Sequence, residues 1–207
     1  MELQYFGANC VRIATKKATV VVDDNLAKLG LKSITKPTDI TLHTNSSVPS
    51  AQAQFTADMP GEYEVADVVI RGVGARGHMD EEGKTSATIF TVSSSDLKVA
   101  VIGHIYPELT EEQLEQIGMV DIAVVPVGGN GYTLDGAGAL SVIKKIEPRI
   151  VIPTHYADKV LKYEVPQAEL ADALKNLGME ASETLDRYKP KAGELSDTAH
   201  LIVLGRQ

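Results

Sequence analysis

Arg149-Ile150-Val151-Ile152-Pro153-Thr154-His155-Tyr156 reads as a buried strand that ends by handing a histidine to a loop. A run of Ile, Val and Ile with proline just after it makes no long helix, and its two-sided apolarity suits a strand covered on both faces. His155 then sits at a strand end. Layered α/β proteins usually mount ligand-binding groups there, and imidazole is the commonest protein ligand for metals that activate water. Taken alone, such a histidine reads as a hydrogen-bonded surface group, and what changes the reading is the company of others.

Working outward, the same device recurs upstream. His43 ends Asp39-Ile-Thr-Leu-His43, His78 follows the run Val68 to Gly74, and His104 follows Leu97-Lys-Val-Ala-Val-Ile-Gly103. Four of the five histidines therefore follow expected strands. One sheet edge could gather them, which is what a metal site built from distant parts of a chain requires. His200 precedes its apolar run and reads as structural.

The rest of the pattern sets the architecture. Leu3 to Phe6, Val11 to Ala14, Ala18 to Asp23, Ile40 to Leu42, Val68 to Gly74, Thr88 to Ser93 and Lys98 to Ile102 are short β-branched or apolar runs, closely spaced as antiparallel strands are. The second half alternates helix and strand. Thr110-Glu-Glu-Gln113 is a capping box with Leu109 and Leu114 as its hydrophobic staple. Ala137, Leu140, Ile143 and Ile146 recur at helical spacing between Asp135 and Pro148, and a third helix is expected from Pro166 to Gly178 with Leu170, Leu174 and Leu177 inward.

In order, Tyr5-Phe-Gly7-Ala-Asn-Cys-Val-Arg-Ile13, Val20-Val-Val-Asp23, Leu42-His43, Gly103, Asp121-Ile-Ala-Val-Val-Pro-Val-Gly-Gly129 and Ile150-Val-Ile-Pro-Thr-His155-Tyr156 resemble the metallo-β-lactamase-fold hydrolases. The match is strongest to the small branch that includes L-ascorbate-6-phosphate lactonase-like enzymes. The resemblance implies an α/β fold, an αββα sandwich of two mixed β-sheets flanked by helices, as a single domain over residues 1–207. It places Asp23 among the groups that orient their neighbours.

The departures from the family pattern are specific. Where the family carries His-x-His-x-Asp-His, this chain reads His43-Thr-Asn45-Ser-Ser47-Val48, and His104 follows Gly103 where the family keeps a bridging aspartate. His78 falls at a third histidine of that branch and His155 at its terminal one. The resemblance thus implies metal ligands His43, His78, His104 and His155, converging on at most one zinc or other transition-metal ion. Two cations roughly 3.5–4 Å apart need carboxylates that are missing here. Loss of the metal altogether is the other outcome consistent with these replacements.

The function implied is hydrolysis of a small ester, lactone or phosphoester, with Tyr156 as candidate proton donor and Asp80 as candidate base. The alternative is a non-catalytic binding or scaffold protein. Glu62 and Glu64 fall on one face of a strand and read as wet; Gly128-Gly-Asn-Gly131 lacks the lysine and hydroxyl of a phosphate loop, although its amides could meet an oxyanion.

Composition narrows the setting. With 207 residues and 43% hydrophobic content the chain can bury a core of its own. Cys10 is the single cysteine, so no internal disulfide forms, and a reducing cytoplasmic setting is expected, with no signal peptide and no membrane span. A net charge of −8, scattered lysines and 5% aromatics argue against a nucleic-acid partner, and the resemblance implies a small-molecule substrate.

Overall fold

The computed structural model describes residues 1–46, 48–49, 52–95 and 97–207. β1 (Glu2–Gly7), β2 (Cys10–Ala14) and β3 (Thr19–Val22) form an antiparallel meander, and β4 (Ile40–Leu42) and β5 (Phe55–Ala57) extend it in parallel into a five-stranded sheet. β6 (Gly61–Val65), β7 (Val68–Ala75), β8 (Ala87–Ser94) and β9 (Leu97–Val101) run antiparallel and begin a second sheet. After α1 (Glu111–Ile117), β10 (Ile122–Pro126), α2 (Gly136–Ile146), β11 (Ile150–Thr154), α3 (Leu170–Leu177), β12 (Ala181–Leu185) and β13 (His200–Leu204) complete it in parallel, in the order β12-β13-β11-β10-β9-β8-β7-β6. Both sheets are mixed, as expected.

Strand alternation builds two cores. Ile122, Val124, Ile150 and Ile152 face the smaller sheet, where they meet Leu3, Tyr5, Val20 and Leu42. Ala123, Val125 and Val151 face the other way, against the helices. This is why β10 and β11 are buried at every position: each side of the larger sheet has its own cover. The smaller sheet differs. Its outer face, with Cys10 and Val21, is packed by Leu26, Leu31 and Ile34 from the loop after β3. The expected flanking by helices thus holds on the larger sheet, while an irregular segment does the same work on the smaller one.

The helices show what local chemistry specifies. The capping box of α1 forms in both directions, Gln113 N–H to Thr110 Oγ1 and Thr110 N–H to Gln113 Oε1. α2 is capped by Asp135, which accepts from Gly138 N–H at 2.7 Å, but its buried face is Ala139, Val142, Ile143 and Ile146, with Ala137 exposed. A strict three-residue series drifts around a helix of about 3.6 residues per turn, so only its later members stay inward. α3 starts at Leu170 rather than Pro166. Ala157 N–H to Ala168 O and Ala168 N–H to Gly128 O, both 2.8 Å, hold the preceding segment as a loop.

The larger sheet ends at β6 and β12, whose exposed side chains include Glu62, Glu64 and Glu183. Glu62 and Glu64 are on the wet face, as the alternation requires. Among the described residues no helix is long and apolar enough to cross a membrane.

The strand ends that carry the site are tied by one buried carboxyl. Asp23, 1% exposed, accepts from Thr44 N–H at 2.7 Å, Thr44 Oγ1–H at 2.6 Å and Asn9 Nδ2–H at 2.6 Å. Asn9 Oδ1 in turn accepts from Thr154 Oγ1–H at 2.8 Å. Removing the carboxyl would leave buried donors without partners, each costing about 1–3 kcal/mol. Asp23→Ala is expected to lower unfolding stability by about 2–4 kcal/mol, measured by urea denaturation; a loss below about 0.5 kcal/mol would show that the tie is dispensable.

Candidate functional site

Two histidines meet where β11 and the segment after β9 end. His155 is 2% exposed, its backbone is left-handed at φ 57°, and its N–H is held by Ala8 O at 2.7 Å. His104 is 9% exposed and follows Gly103. The two rings lie edge to face with centroids 4.7 Å apart.

Glycines make this approach possible. A Cβ on Gly103, itself at φ 66°, would fall 2.5 Å from Thr44 Cβ, so any side chain there would push His104 away from the Asp23 tie. A Cβ on Gly128 would fall 2.0 Å from His155 O and 2.2 Å from Gln167 Oε1. The first glycine of the cluster noted in the sequence therefore serves close packing of the His155 loop.

Hydrogen bonds fix where the protons are. Gln167 Nε2–H donates to Val165 O at 2.6 Å, which turns Gln167 Oε1 toward His155 Nδ1 at 3.1 Å. His155 Nδ1 thus carries the proton, and Nε2 keeps its lone pair. The Asn45 amide nitrogen faces His104 Nδ1 at 3.1 Å, so Nδ1 accepts and Nε2–H is the donor, buried without a partner. Burial holds His104 well below the ordinary imidazole range and lowers His155 to about 4. Both rings are neutral at pH 7.

The other expected ligands take different places. His78 is joined to His104 by its backbone, N–H to His104 O at 2.8 Å, but its Nδ1 lies 3.2 Å from Ile105 O. His43 is 7% exposed; burial lowers its pKa, and its charged neighbours are Asp23, Asp58 and Asp24. Ser47 lies outside the described residues. Among the described residues no three His, Cys, Asp or Glu side chains gather closely enough to hold a metal ion. The structure brings His104 beside His155 and sets His78 on the same cavity as His104, while Asn45, Gln167 and Ile105 O each face an Nδ1 of these rings.

The two residues expected to move protons have structural duties. Asp80 closes its own loop, accepting from Ser86 Oγ–H at 2.8 Å, Ser86 N–H at 2.9 Å and Gly77 N–H at 2.8 Å. These bonds, Ser86 first, hold its carboxyl below the usual range and make it a poor base. Tyr156 donates to Leu204 O at 3.3 Å and packs 5.6 Å from Tyr5; burial raises its phenol to about 12. Asp80 lines the same cavity as His104, with its carboxyl held by its own loop.

Two cavities flank the histidines, and Tyr132 lines both. One, about 180 Å³, lies among Asn45, His78, Met79, Ser86 and His104. The other, about 120 Å³, lies among His155, Tyr163, Gln167, Lys28 and Lys162. Tyr132 stands 5.2 Å from His104 and 5.7 Å from His155, centroid to centroid. Tyr132 carries no sequence signal beyond its place after the glycines, and Gln167 carries none either, since its Pro166-Gln167 context suggests a helix start.

A family model described as a beta-lactamase superfamily domain matches residues 2–155. A metal-dependent hydrolase of Thermoplasma acidophilum is 46% identical over 48 residues, 22% of this chain and 21% of that protein. One of Carboxydothermus hydrogenoformans is 44% identical over 43 residues, 21% of this chain and 19% of that protein. These matches span about a fifth of the relatives' length. Among solved structures, a Thermotoga maritima protein provisionally assigned as a Zn-dependent hydrolase of the metallo-β-lactamase superfamily superposes with a TM-score of 0.75 at 25% identity, covering 100% of this chain and 99% of that one. A Parabacteroides distasonis protein, provisionally a metal-dependent hydrolase, shares the fold with a TM-score of 0.65 at 14% identity, over 99% and 93% of the chains.

The buried imidazoles make stability depend on pH. An unfolded histidine titrates near 6.5, above its folded value here, so the unfolded chain binds more protons as pH falls. Their contribution is complete above pH about 6.5 and is lost as pH falls below it, for His155 down to about 4. Thermal melts are expected to show this loss, and a His104→Gln/His155→Gln variant a shallower one. Parallel curves for the two proteins would show that the rings are not held neutral.

Proposed function

The chain belongs to the β-lactamase superfamily, and from that premise we propose that it hydrolyses a small ester, lactone or phosphoester at the His104–His155 pair. The observation that carries this reading is the pair's setting: Gln167 Oε1 faces His155 Nδ1 and the Asn45 amide nitrogen faces His104 Nδ1, which assigns a lone pair to His155 Nε2 and an N–H to the buried, unpartnered His104 Nε2. His155 Nε2 would take a proton from water as the water oxygen adds to the substrate carbon or phosphorus. His104 Nε2–H would donate to the oxygen that gains charge. On collapse the His155 imidazolium returns its proton to the leaving alkoxide, so proton and electron pair both balance.

The relatives' names bring a metal ion with them. A catalytic zinc keeps about three protein ligands, and two facing imidazoles fall short of that set, so no step is derived through an ion. Gln167 and Asn45 would orient the rings instead of second ligating atoms. Buried to a pKa of about 4, His155 is a weak base, and turnover should be slow, below about 1 s⁻¹. The same weakness favours a second reading, binding without turnover.

A panel of activated esters, lactones and phosphoesters separates these readings. Wild-type protein is expected to cleave at least one of them at an unchanged rate after chelation, with His155→Ala costing about 10²–10⁴-fold. Elemental analysis should give less than one transition-metal ion per chain. Activity abolished by chelation and restored by zinc would overturn the metal-free mechanism, and no cleavage at all would leave binding as the function.

A further inference from the structure

We propose that the cavity beside His155 is an anion-binding subsite in which Lys162 and Lys28 select ligands carrying a carboxylate or phosphate group. The proposal relies on the hydrolase reading only for calling that ligand a substrate. At about 120 Å³ the space suits a group of a few heavy atoms. Two lysines and Glu164 line it, so its local charge is positive on a chain whose net charge is −8. Such a reversal concentrates anions that the rest of the surface repels.

The cations are carried on loops built to hold them. Lys28 is in the turn closed by its N–H to Asn25 O at 3.0 Å, and Lys162 N–H donates to Leu29 O at 3.0 Å, which staples its loop to that turn. Ala8, Leu29 and Leu161, with Leu31 and Tyr163 against them, form a small apolar cluster of their own between the two loops. The Lys162 stem lies across Gly30, where an added Cβ would sit 3.2 Å from its Cδ. Arg206 to Asp158 at 2.6 Å, and Asp158 to Val160 N–H at 2.9 Å, brace the same loop. Lys162 enters none of the ion pairs among the described residues. Its ammonium is therefore not neutralised, and a ligand anion held there would share the cavity with His155 and Tyr132.

Inorganic phosphate titrated at low ionic strength, followed by amide NMR shifts, tests the subsite without requiring turnover. Shifts are expected at Lys162, Tyr163 and His155, with the dissociation constant raised about tenfold in Lys162→Glu, less in Lys162→Gln, and not in Lys144→Glu on the far surface. Lys162 is exposed, so these variants should melt like wild type. No binding, shifts elsewhere, or equal weakening by Lys144→Glu would overturn the proposal. Two esters that differ only in a remote carboxylate complete the test. Phosphate binding that depends on Lys162 without cleavage of either ester would sink the hydrolase reading and leave the subsite standing. Cleavage of both with equal KM, and no dependence of phosphate binding on Lys162, would do the reverse.

Discussion

The Asp23 carboxyl reaches both halves of the site. Through Thr44 it fixes the residue against which Gly103 packs, and so the approach of His104; through Asn9 and Thr154 it holds the end of β11, one residue before His155. A carboxyl removed from water is costly unless donors surround it, and burial does raise its pKa against the pull of Thr44 and Asn9. The donors can surround it only when β3, β4, β11 and the turn after β1 are in place together. Site geometry and sheet assembly are therefore one condition.

That condition explains the character of the pair. Both rings are positioned by side-chain amides, not by carboxylates, and are buried deeply enough to stay neutral. A neutral pair in a dry pocket can split roles by tautomer alone, since each ring nitrogen is either donor or acceptor. The superfamily fold supplies the strand ends; the chemistry follows from what is mounted on them.

Much of the fold was legible because its causes are local or periodic. Strand alternation, the Thr110 box, the Asp135 cap and Gly178 at the end of α3 all act within a few residues. The start of α3 was not, because Pro166 is a good first-turn residue in isolation and only the contacts of Ala168 with Ala157 and Gly128 hold it in a loop. The site was half legible. The histidines announce themselves by following strands, whereas the partners that decide their protons, Asn45 and Gln167, are 59 and 12 residues away and carry no local pattern. Asp80 and Tyr156 looked available in the sequence, and their hydrogen bonds to Ser86 and Leu204 show why availability cannot be read from residue type.

The glutamates at the ends of the larger sheet reach beyond the single chain. An edge strand offers a row of unpaired backbone groups to any strand of another molecule, and inserting a carboxylate opposite its own copy is unfavourable. Glu62 and Glu64 on β6 and Glu183 on β12 stand at these two margins. Carboxylates at both margins thus set a like-charge penalty against one molecule's sheet running on into the next.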